Sequence, residues 1–135
     1  MSNGLKSAVP TIMTLGNRTY EILGYLRGHE ESVTGETMAK LAKKMNANLG
    51  KEECLYVWKH RHEIPAEMWV TGKQGRIVLL FPAWQYRGRH EGPVACIYYF
   101  SSENCFYRSW AHGWCDQVFC GNGRLLRRTF KRKSK

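Results

Sequence analysis

The chain is 135 residues long, 43% hydrophobic and 24% charged, with a formal charge of +10. Those totals describe one globular domain's worth of sequence and exclude a disordered chain. No stretch approaches the roughly 18 apolar residues of a membrane helix, and Met1 to Thr14 lacks an apolar core of signal-peptide length, so the expected location is the cytoplasm.

Residues 1–16 have no hydrophobic period and read as a flexible or loosely docked arm. Asn17 is a good helix cap, Tyr20, Leu23 and Leu26 follow at helical spacing, and Gly28 closes a first helix predicted over residues 17–28. Thr34 caps the second, where Met38, Leu41, Ala42 and Met45 recur at i, i+3, i+4 and i+7. After a turn at 46–50, a third helix runs from Lys51 to about His62 on the stripe Cys54, Val57, Trp58 and Arg61. Pro65 ends it and pushes Ile64 toward extended geometry. The period then changes: residues 68–71 and 76–81 are strand-like around Gly72-Lys73-Gln74-Gly75, a hairpin pattern.

Three helices and then a hairpin resemble the winged helix-turn-helix family. The resemblance covers residues 17–82, with helices at 17–28, 34–46 and 51–62 and a wing at 68–81. The opening Val33-Thr34-Gly35-Glu36-Thr37-Met38-Ala39-Lys40-Leu41-Ala42 is similar to the second helix of such domains. Residues 83–92 are a basic connector, and the rest is strand-rich: 94–101, 105–111 and 114–120, then a hairpin signal at Gly121-Asn122-Gly123 that lets 124–130 pair back. The expected fold class is α+β, a three-helix winged-helix-like core followed by a small antiparallel β meander. The expected parts are an arm at 1–16, the winged-helix-like domain at 17–82 and a basic extension at 83–135.

The charge is unevenly placed. Residues 1–65 hold nine Lys/Arg against seven Asp/Glu, whereas residues 66–135 hold twelve against four. A field of that strength attracts polyanions. The resemblance implies a third helix that enters the major groove and a wing that touches the backbone. Carried onto this chain it points to Lys51, Tyr56, Lys59 and His60 on the helix, and to Lys73 and Arg76 on the wing. Glu52 and Glu63 project from nearly the same face of that helix, which weakens it as a reader of DNA. The better electrostatic signal is Arg87, Arg89, Arg124, Arg127, Arg128, Lys131 and Arg132, interleaved with Trp84, Tyr86, Phe106, Tyr107, Trp110 and Phe130. Basic groups beside rings suit single-stranded bases as well as duplex backbone.

The five cysteines, an odd number, fit a reducing compartment and buried packing. Cys96, Cys105, Cys115 and Cys120 with His112 lack the C-x-x-C knuckle of structural zinc sites, so no metal and no cofactor is expected. His112, Cys115 and Asp116 lie close in sequence without an oxyanion loop or a phosphate-binding motif, so no enzyme is expected. The expected function is nucleic-acid binding in a regulatory role, DNA before RNA, through phosphate contacts from the wing and the C-terminal basic strand. The alternative is a small protein-binding inhibitor or adaptor, for example a phage-encoded protein that blocks a host nucleoprotein machine. Winged-helix proteins often form homodimers, but no long heptad argues for one here.

Overall fold

The structure is a computed structural model that describes residues 10–26, 32–68, 77–86, 93–100, 103, 105–111, 119–120 and 123–129. Its centre is a six-stranded mixed sheet with two α-helices, α1 (Gly35–Lys44) and α2 (Lys51–Lys59). The sheet strands are β1 (Ile12–Leu15), β2 (Arg18–Leu23), β4 (Val78–Gln85), β5 (Val94–Phe100), β6 (Cys105–Ala111) and β8 (Gly123–Thr129). Two short strands, β3 (Ser32–Val33) and β7 (Phe119–Cys120), pair separately. The order across the sheet is β1-β2-β8-β4-β5-β6, antiparallel except where β8 meets β4.

This architecture overturns the three-helix core and the small meander. The segment predicted as the first helix holds strand β2, in which Tyr20 and Ile22 are buried and Glu21 between them is not. That is period 2, and the Tyr20, Leu23 and Leu26 spacing was coincidental with it. Gly16 and Asn17 form the two-residue loop of a β1–β2 hairpin, with Leu15 opposite Arg18 and Gly16 at φ +61°. A glycine at the first position of such a loop is the usual requirement. Residues 12–15, placed in the arm by sequence, are β1. Of the strand predicted at 76–81, residues 78–81 open β4, whose ladder partners are β5 and β8. Residues 69–76, which carry the rest of the expected wing, lie outside the described residues. The C-terminal strand does not extend a meander; it enters the centre of the sheet between β2 and β4.

The helices of the second and third predicted segments are present. Thr34 caps α1 by accepting from the Thr37 N–H at 3.2 Å. At its other end Asn46 takes φ 60°, its N–H bonds the Lys43 carbonyl and the Ala47 N–H bonds the Ala42 carbonyl at 2.7 Å. Both bonds of a Schellman cap are thus made, with Asn in the left-handed position. Helix α2 gives way at His60 to a 3-10 turn (Arg61–Glu63), and Ile64 before Pro65 is extended at φ −68° and ψ 132°.

In the apolar run from Ile77 to Phe81 every residue but the half-buried Val78 is buried, on both sides of the sheet. Leu79 and Phe81 pack in one core with Cys54 and Val57 of α2, joined by Tyr20, Ile22, Leu126, Ala95 and Ile97. Leu80 packs in a second with Met38 and Ala42 of α1, joined by Leu125, Val94 and Cys96. Alternation along the strands separates the two cores, so the sheet lies between α1 and α2. No helix among the described residues is long and apolar enough to cross a membrane.

Candidate functional site

The ladder between β5 and β6 sets what the α2 side of the sheet displays. Ala95 and Ile97 belong to the α2 core, so Tyr99 continues their face. Their partners across the ladder are Trp110, Arg108 and Phe106 respectively. Residues directly opposite in a ladder share a face, so β6 presents Phe106, Arg108 and Trp110 beside α2.

Helix α2 and the 3-10 turn that follows it meet this stripe with one flank. Lys51, Trp58 and His62 recur at i, i+7 and i+11, and Arg61 adjoins them. The Arg61 guanidinium lies 4.2 Å from the centre of the Trp58 ring and donates to the Trp58 carbonyl at 2.8 Å. Arg108 stands between two indoles, 5.6 Å from Trp58 and 5.8 Å from Trp84. Lys51 is 5.7 Å from the Trp84 ring. Trp84 and Tyr86 meet Trp110 edge-on at 5.3 and 5.2 Å, and His62 meets Phe106 at 5.2 Å and 89°. Phe106 also contacts Tyr99 at 4.9 Å. The rings are half-buried, and Lys51, His62 and Arg108 are exposed. Each cation–π contact of this kind is worth about 0.5–1 kcal/mol at an exposed site. Together they hold cations and rings in fixed positions on one surface. A groove of about 360 Å³ opens in it, lined by Trp58, Arg61, His62, Tyr99, Cys105 and Phe106.

The other flank of α2 is committed to structure. Glu53 accepts from Arg18 at 3.1 Å, from the Tyr20 hydroxyl at 2.6 Å and from Arg128 at 3.1 Å. Burial and that bond to Glu53 hold the Tyr20 phenol above its ordinary range. The Tyr56 hydroxyl donates to the Leu15 carbonyl or the Asn17 side chain and accepts from the Asn17 N–H, each at 3.0 Å. Glu63 accepts from the Gly16 N–H at 2.7 Å and pairs with His60 at 2.9 Å.

The residues predicted from sequence therefore divide. Lys51 stands on the aromatic face, and Lys59 is exposed on α2. Tyr56 and His60, predicted to face DNA, hold the β1–β2 turn. Arg127 pairs with Glu21 and donates to the Met45 carbonyl, and Arg128 pairs with Glu53, which it shares with Arg18, so both guanidiniums are engaged within the fold. Burial holds the Arg124 guanidinium below its ordinary range. Lys73, Arg76, Arg87, Arg89, Lys131 and Arg132 lie outside the described residues. Arg61, His62 and Arg108 were missed as site residues; the signal for Arg108 was the alternation Phe106-Tyr107-Arg108-Ser109-Trp110. Cys96 pairs with Ser109 and Cys105 with Phe100, four residues apart on the ladder, or roughly 13 Å at ~3.3 Å per residue. Two zinc ligands must lie far closer. Comparison with protein-family models, with curated proteins and with solved structures returns no match.

Proposed function

We propose that the protein binds nucleic acid, and single strands in preference to duplex, through the face formed by α2, β5 and β6. The observation that carries this reading is the arrangement of Trp58, Trp84, Trp110 and Phe106 around Arg61, Arg108 and Lys51 on one side of the sheet. Phosphates are drawn to the three cations. Unstacked bases find ring and guanidinium planes, which a duplex with its bases paired cannot use. Arg127 and Arg128, first expected to track phosphate, contribute less, because Glu21 and Glu53 already engage their guanidiniums.

The test is fluorescence anisotropy with labelled 12-nucleotide single-stranded DNA and RNA and a 12-base-pair duplex, each across a salt series. Single strands should bind tighter than the duplex. With three phosphates neutralised, log K should fall against log salt with a slope of about −2, at ~0.7 per phosphate on single strands. Trp84→Ala should weaken binding by about 1–3 kcal/mol, the cost of one stacked base. Lys43→Ala, on α1 behind the sheet, should leave it unchanged. No binding at low salt, or binding that ignores salt, would reject the reading and turn attention to an acidic protein partner.

A further inference from the structure

We propose that the groove between Trp58, Arg61, His62, Tyr99, Cys105 and Phe106 is a specificity pocket for one unpaired guanine. The proposal rests on the nucleic-acid reading above and adds to it a preference that a general stacking surface would not show.

Size is the first argument. At about 360 Å³ the groove stands at the small end of ligand sites, which span about 300–1,000 Å³. It suits one base and not a stacked run. Its walls are the second argument. Tyr99 of β5 and Phe106 of β6 meet at 66°, and Trp58 of α2 lines the groove with them, so rings from three elements bound the cavity. A planar, unstacked ligand gains most from such walls.

The polar groups choose among planar ligands. Arg61 has five N–H donors and no acceptor, and one contact to the Trp58 carbonyl leaves most of the fork for a ligand. His62 adds imidazole nitrogens, and no carboxylate lines the groove among the described residues. A neutral imidazole has one donor and one acceptor nitrogen, so the paired donors of the lining are those of Arg61, and its fork calls for an edge made of acceptors. On the edge away from its pairing face guanine offers two side by side, N7 and O6, where adenine sets a donor beside N7 and thymine a methyl beside its single acceptor. Unpaired cytosine offers a second such pair, O2 and N3, on its pairing edge, and the cytosine and 7-deazaguanine oligomers below separate the two. Arginine reading N7 and O6 together is the commonest specific contact of its kind. A quaternary ammonium, the usual guest of an aromatic cage, is disfavoured by the Arg61 charge. A bare phosphate would gain nothing from the three ring walls.

Both side chains are also held in place. Arg61 lies against the Trp58 ring at 4.2 Å, and His62 stands edge-on to Phe106. A fork whose plane is fixed before binding loses less freedom when it docks.

The experiment uses the full chain and labelled 12-mers of thymidine carrying one central guanine, adenine, cytosine or 7-deazaguanine, with the matching uridine-based series in RNA. The guanine oligomer should bind at least about fivefold tighter than the adenine one, the lower bound for a good bidentate contact. Replacing N7 by carbon should abolish that advantage on the unaltered protein, which makes the result independent of any variant's folding. Arg61→Lys should bring guanine down to the adenine level, because an ammonium lacks the fork. Preference in either sugar series supports the pocket, and the tighter series identifies the polymer. Equal binding of all four oligomers, or an advantage that survives 7-deazaguanine, overturns the pocket and leaves the stacking surface standing. If no oligomer binds at low salt, the nucleic-acid reading fails and the pocket with it.

Discussion

A methyl group at residue 16 has nowhere to go. Gly16 sits at φ +61°, and a Cβ there would collide with the Tyr56 hydroxyl and lie 2.8 Å from the His60 ring. The left-handed conformation alone costs an alanine about 1–2 kcal/mol, and the contact forces the Tyr56 hydroxyl off the Leu15 carbonyl. Gly16→Ala should therefore lower stability by about 2–3 kcal/mol in urea denaturation. Gly24→Ala, with nothing within 4 Å of its Cβ, is the control and should change little. The same residue shows what the sequence did and did not make legible. Asn17 is as good a hairpin residue as a helix cap, and only Gly16 in front of it, read together with the alternation Tyr20, Glu21, Ile22, favours the turn. At Thr34, Asn46 and Ile64 local chemistry left no such choice, and the backbone there follows it.

At the scale of elements, α2 is the part that joins fold to site. One flank carries Lys51 toward Trp84 of β4 and, with His62 of the turn that follows, Trp58 toward β6; the other carries Glu53, Tyr56 and the capping His60 toward the β1–β2 hairpin and β8. The helix was visible in its apolar stripe, but the division of its polar flanks was not, because it depends on which strands lie to either side. Glu63, just beyond the helix, gives this clamp a pH dependence. The Gly16 N–H, and after it His60, hold the Glu63 carboxyl below its ordinary range. A carboxyl with a depressed folded value stabilises fully above its unfolded value near ~4.3, and that contribution is lost as pH falls through the folded value. The melting temperature should accordingly exceed that of Glu63→Gln at pH 6, and the two should converge as the pH is lowered below about 4. A gap that persists unchanged at acid pH would show that the carboxylate charge is not what holds the turn.

Across the whole molecule, the least legible feature is the place of β8. Residues 123–129 end the described chain, yet they lie between β2 and β4, antiparallel to one and parallel to the other. Periodicity reports which residues face a core, not which distant strand completes it. One clue was available: a run as apolar as Ile77 to Phe81 indicates a strand covered on both faces, hence helices on two sides rather than a bundle beside a hairpin. Burial on both faces also separates the thiols. Cys54 lies on the buried face of α2 with no exposure, and burial pushes its pKa up to about 12. Cys96 is buried on the α1 side, while Cys105 on the outermost strand is half-exposed. The thiolate is the reactive form and needs access as well. In the native protein at pH 8, iodoacetamide should alkylate Cys105 readily and Cys54 at least about 10³-fold more slowly, the factor expected when access requires opening that costs ~4 kcal/mol or more. Peptide mass spectrometry reads both sites in one sample. In denaturing urea the two should react at comparable rates. Rapid native modification of Cys54 would mean that α2 lifts from the sheet by itself, and the cation and ring positions that the nucleic-acid face depends on would then be held only part of the time.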